Sequence, residues 1–128
     1  MLGERISSEY KRVRILRDYP NSRYFSDFDF AILAGGYNSY HEAIEASIPT
    51  ICYPNMNTGR DDQLARAMVA EEAGCMVVLR NRNENKIQIA IDRLAEKEVR
   101  DMMESNFSIL HRANGSNQVA DWILDQIN

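Results

Sequence analysis

Four short apolar runs punctuate the chain: VRIL (13–16), FAILA (30–34), TICYP (50–54) and CMVVL (75–79). Each is continuous rather than alternating, and each is rich in β-branched or aromatic residues. That pattern predicts strands buried on both faces, as in a parallel sheet. Helical spacing fills the gaps. Tyr40, Ala43, Ile44 and Ile48 recur at three- and four-residue steps in 38–48, and Leu64, Ala67, Met68 and Ala73 do so in 61–73. The first helix should stop before Pro49 and the second at Gly74. Further helices are predicted over 84–95, with Ile87, Ile91 and Leu94, and over 97–111, with Val99, Met102, Met103, Phe107 and Leu110. After ANGSNQ, a last helix carries Val119, Trp122, Ile123 and Ile127 on one side.

Strands alternating with helices of these lengths imply right-handed crossovers and an α/β class. The expected architecture is a three-layer, Rossmann-like parallel sheet flanked by helices. A nucleotide-binding unit of this kind opens on a strand and a Gly-rich loop. The first twelve residues, MLGERISSEYKR, hold no such strand. The expectation is therefore one partial domain over 1–128, lacking its first strands.

Composition narrows the function. A length of 128 residues suits one domain, and 45% hydrophobic residues can bury a core. Net charge is −4, and Arg12, Arg14 and Arg17 are the densest basic group. Non-specific nucleic-acid binding needs a concentrated cationic face, so it is not expected. No apolar run approaches the roughly 20 residues that span a bilayer. No secretory signal opens the chain, and Cys52 and Cys75 sit in apolar segments without metal-ligand spacing. Two reduced, packed thiols and a cytoplasmic protein are the expectation.

Candidate chemistry lies in residues 34–43, AGGYNSYHEA. Gly35 and Gly36 fall where a buried strand ends, and ligands of open α/β sheets bind beyond such ends. Glycine there permits positive φ and close approach of a ligand. Asn38 and Ser39 are good N-cap types, and a following helix would aim free N–H groups and its positive dipole end at the loop, which suits phosphate. Ser39 and Glu42 also have capping-box spacing, which needs no ligand. After TICYP, the segment NMNTGRDDQLARA repeats the arrangement at a second strand end. Asp61 or Asp62 can cap that helix. Asp62 and Gln63 would face the same crevice as Ser39 and Glu42, with the acceptors and donors that read vicinal hydroxyls of a sugar.

From Phe30 to Leu79 the sequence resembles the donor-binding C-terminal domain of GT-B nucleotide-sugar glycosyltransferases. The ordered parts read FAILAGGYNSYHEAIEASIPTICYP and then DDQLARAMVAEEAGCMVVL. The stretch GYNS is close to the GWNS of plant UDP-glycosyltransferases, and the whole is similar to the lipid-linked GlcNAc transferases of peptidoglycan synthesis. The resemblance implies inverting transfer from a UDP-sugar without a covalent intermediate. It places Gly36, Asn38 and Ser39 at the diphosphate, Glu42 on the ribose hydroxyls, and Asp62 and Gln63 on the transferred sugar, with Gly35 counted among the donor-binding residues. It implies no metal and no other cofactor. An N-terminal acceptor-binding domain or subunit would supply the catalytic base, so the chain alone should be inactive. Three departures stand out: Ala34 replaces a phosphate-contacting His of the plant enzymes, Arg66 replaces an Asn, and the opening Gly-rich loop is missing. Arg66 reads as a solvated helix residue or a phosphate ligand.

Two other classes fit the same fold. One is a non-catalytic assembly module, pairing with a partner or a second copy through an exposed sheet edge. The other is a sugar-nucleotide epimerase or hydrolase, although Ala43 stands where an acidic pair would continue in the epimerases. His41 is expected in solvent, His111 at a helix C-terminus, Met102 and Met103 in packing, and Trp122 in the core. Tyr37 could stack on a ligand or cover the sheet edge. Ser26, Asp27 and Asp29 read as loop residues in a segment that passes near the base in relatives.

Overall fold

The computed structural model describes residues 12–16, 21–56 and 62–113. Three parallel strands form the sheet in the order β1-β2-β3: β1 is Ala31–Leu33, β2 is Thr50–Cys52 and β3 is Met76–Val78. Ala31 stands beside Thr50, and Thr50 beside Met76. A 3-10 helix, Asn21–Asp27, precedes β1. Helix α1 (Tyr37–Ala46) joins β1 to β2, and α2 (Gln63–Glu72) lies between β2 and β3. Helices α3 (Glu84–Leu94) and α4 (Lys97–Ala113) follow. The described chain is thus α/β, consistent with a Rossmann-like arrangement.

The continuous apolar runs are explained by helices on both sheet faces. Successive parallel strands laid down in one direction put their crossover helices on one face. Here Cys52, Met76 and Val78 pack with Tyr40, Ala43 and Ile44 of α1 and Ala67 and Ala70 of α2. The alternate strand residues Ile51 and Val77 turn to the other face and meet Ala90 and Leu94 of α3 and Met103 of α4. Phe107, fully buried on α4, joins the first cluster. On β1, among the described residues, that second face is largely open: Ile32 is 55% exposed. Thr50, fully buried, meets its hydrogen-bond need locally by donating its hydroxyl to the Ile48 carbonyl at 2.8 Å.

Both crossover helices stop by the same device. Ser47 N–H donates to Ile44 O and Ile48 N–H to Ala43 O; Gly74 N–H donates to Glu71 O and Cys75 N–H to Ala70 O. These are paired Schellman closures, with the turning residue in the left-handed region. Gly74 adopts φ +80° freely, whereas Ser47 holds φ 53° despite its β-carbon.

Several expectations are corrected. Val13–Leu16 forms no strand: Val13 and Ile15 are 40% and 38% exposed. Helix α1 begins at Tyr37 and ends at Ala46, so Ile48 lies beyond it, buried at the entrance to β2. Met68 and Met102 point to solvent, and Ala70 takes the inner position on α2. Ser26 and Asp27 belong to the 3-10 helix rather than a loop. The expected final helix and Trp122 lie outside the described residues. Among the described residues no helix is long and apolar enough to cross a membrane.

Candidate site at the carboxyl ends of β1 and β2

Strand β1 ends at Leu33, and the chain reverses through Ala34, Gly35 and Gly36 into α1. Gly35 has φ +88°, and a β-carbon there would stand 2.8 Å from Cys52 Sγ at the end of β2. Only glycine fits both the torsion and the space. Gly36, at ψ 155°, is the N-cap residue of α1, and among the described residues no side chain caps that helix. This corrects the expected role of Asn38 and Ser39. They lie inside the first turn, so the anticipated Ser39–Glu42 capping box is not built. The first intrahelical bond is Tyr40 N–H to Gly36 O at 2.9 Å. The N–H groups of Tyr37, Asn38 and Ser39 precede it and have no helical acceptor. By contrast, Asp62 caps α2 and Asn83 caps α3.

Asn38, Ser39 and Glu42 line one cleft of about 430 Å³. Its other walls include Phe25, Phe28 and Phe30, from the 3-10 helix and the approach to β1. Glu42 also borders a second hollow of about 250 Å³, with Arg23, Glu45 and Ala46. The cleft therefore sets one carboxylate and a helix N-terminus against an aromatic wall. That wall was not named from the sequence. Its signal was the spacing of Phe25, Phe28 and Phe30 ahead of the glycines.

The second loop meets the glycines from the side of α2. Gln63 is 8% exposed, and its Oε1 accepts the Asn55 N–H at 2.9 Å. Its Nε2 would lie 3.9 Å from a β-carbon on Gly36. Gln63 is thus a buried strut between two loops, neither solvated nor presenting its whole carboxamide to a crevice. Asp62 Oδ1 accepts the Ala65 N–H at 2.9 Å, the helix-cap alternative. The described lining of the 430 Å³ cleft does not include Asp62 or Gln63. The structure accordingly brings Gly35, Gly36 and Gln63 together, gathers Asn38, Ser39 and Glu42 in the aromatic cleft, and assigns Asp62 to its helix.

Arg66 is the residue that sequence reading misplaced. It is half-buried, and its Nη1 donates to the Gly35 carbonyl at 2.9 Å. The guanidinium carbon lies 5.4 Å from the centre of the Tyr37 ring and 5.8 Å from that of Tyr40. Tyr37 is exposed and also stacks at 4.4 Å, tilted, against the exposed His41 ring. Burial pushes the Cys52 thiol up to about 11, with Arg66 opposing the shift. Burial also raises Tyr40, again against Arg66. Cys52 and Cys75 are both free and buried. His111, near the end of α4, places Nε2 3.4 Å from Ser47 Oγ. Among the described residues, no three His, Cys, Asp or Glu side chains are grouped to hold a metal.

Comparison of the chain with protein-family models and with curated proteins gives no match.

Proposed function

We propose that this chain is the donor-binding domain of a GT-B-type glycosyltransferase, taking a nucleotide diphosphate sugar, in first place a UDP-sugar. One observation carries the reading: the uncapped N-terminus of α1, entered through Gly35 and Gly36, opens beside a cleft that Glu42 and three phenylalanines line. A diphosphate suits such a terminus, because amides without a helical acceptor and the helix dipole both favour an anion. Glu42 can accept hydrogen bonds from vicinal ribose hydroxyls, and the phenylalanine wall offers apolar area to a base. As the glycosidic bond breaks, negative charge grows on the diphosphate. Pre-oriented N–H donors of Gly36, Tyr37, Asn38 and Ser39 would stabilise that charge more than the ground state. In this reading the transferred sugar lies toward Asp62 and Gln63, and the base and acceptor come from another domain or subunit.

Calorimetric titration with UDP and UDP-GlcNAc tests the reading. Micromolar binding that is lost in Glu42→Ala is the expected result. No heat with any nucleotide sugar would sink it. A second reading draws on the apolar residues of the same cleft. Exposed Ile32 on β1 and exposed Phe28 before it suit a non-catalytic assembly module. That module predicts concentration-dependent association with no nucleotide binding.

A further inference from the structure

We propose that Arg66 is a positioning residue of the donor site, holding the Gly35–Gly36 peptide by hydrogen bonding rather than by placing its charge on a phosphate. The inference rests on the donor-site reading above. Gly35 sits at φ +88° and is followed by a second glycine, so the peptide between them has little side-chain restraint of its own. The Arg66 Nη1 bond to the Gly35 carbonyl supplies that restraint. In a trans peptide the following N–H points opposite to the carbonyl. Turning Gly35 O toward α2 therefore turns Gly36 N–H away from α2 and prevents the plane from reversing. The amide that precedes the first turn of α1 thereby keeps one direction.

Three features of the setting favour a strut. The donor is fixed at its base, because Asp62 caps α2 and Gln63 ties its start to Asn55. Arg66 lies three residues after Gln63, on the same side of the helix. The guanidinium lies over the rings of Tyr37 and Tyr40, both on α1. A planar, delocalised cation gains from such faces, while a lysine ammonium has neither the plane nor the fork. The same group thus bonds the loop before α1 and packs on α1 itself.

The test uses the 128-residue chain and the variants Arg66→Ala and Arg66→Lys. Lysine keeps the charge and most of the stem, which guards against loss of the fold. Backbone amide order parameters at Gly36 and Tyr37, measured by NMR relaxation without ligand, read the loop. UDP calorimetry at low and high salt reads the site. A strut predicts lower order parameters at both amides, and UDP affinity weakened about tenfold in both variants with little salt dependence of the difference. Parent-like UDP binding by Arg66→Lys, or unchanged order parameters in Arg66→Ala, would overturn the positioning role alone. If the parent chain itself binds no UDP, the donor-site reading fails, and this role fails with it.

Discussion

Cys52 Sγ occupies the space that a side chain on Gly35 would need: a β-carbon there would be 2.8 Å away. Gly35 lies in the turn after β1 and Cys52 ends the neighbouring parallel strand β2, so the contact fixes how closely the glycine turn lies on the end of β2. Gly35→Ala should destabilise the fold by about 2–4 kcal/mol, from unfavourable torsion plus overpacking. In a Cys52→Ala background the same change should cost only the torsional part, about 1–2 kcal/mol. A urea-denaturation double-mutant cycle measures the difference. Additive costs would show that the thiol does not constrain the turn.

Ser47 offers the opposite case. Its backbone is left-handed at φ 53°, in a helix stop that Gly74 makes without strain. Ser47→Gly should stabilise by about 0.5–1 kcal/mol, seen as a higher Tm. The long contact to exposed His111 is a small loss beside that gain. Gly74→Ser should destabilise, because its β-carbon would stand 2.5 Å from Asn106 Nδ2, which donates to the Gly74 carbonyl.

The thiols give a pH dependence. Burial raises Cys52 and Cys75 from the usual 9.0 to about 11 each. The folded state thus keeps protons that the unfolded state loses above pH 9. Their contribution is whole below that pH and is lost as pH rises toward 11. Over that window stability should fall by up to about 1.4 kcal/mol per pH unit for each thiol. Denaturation midpoints at stepped pH check this, and a Cys52→Ala/Cys75→Ala chain should show a flatter profile. A native thiol titration at neutral pH should find both slow to react.

Asp62 has a structural duty that can be separated from any ligand. Asp62→Ala should cost about 1 kcal/mol, the loss of an N-cap, whereas Asp62→Asn should cost little because asparagine caps as well. If Asp62 also reads sugar hydroxyls through its carboxylate, Asp62→Asn will fold as the parent does yet bind UDP-GlcNAc less well than UDP. Equal changes for both ligands would leave it a cap alone.

What the sequence showed and hid follows the range of the interaction. FAILA, TICYP and CMVVL were legible as β1, β2 and β3 because each packs on helices that local spacing also revealed, β2 and β3 on both faces and β1 through Ala31 and Leu33 on one. VRIL is likewise apolar apart from Arg14, yet Val13 and Ile15 stay exposed, since an apolar run becomes a strand only with a neighbouring edge and cover. The glycine turn at 35–36 and the cap at Asp62 were readable from local chemistry. The cap of α1 was displaced by two or three residues because Gly36, with its extended ψ, takes the place expected of Asn38 or Ser39. The strut of Arg66 on Gly35 spans 31 residues and leaves no local trace. The burial of Gln63 under the glycine loop was equally hidden, since only the parallel register of β1 and β2 brings the two loops together.

The twin helix stops at Ser47 and Gly74 both lie at the sheet rim opposite the glycines, where the chain enters β2 and β3. They divide the labour of the domain between its two ends. Changes at the entry rim should alter how long the fold lasts while leaving recognition intact. Changes at the exit rim can retune recognition, but those at Gly35 and Asp62 also destabilise the fold, so the room for one scaffold to diversify its guests lies in the cleft-lining positions Asn38, Ser39 and Glu42.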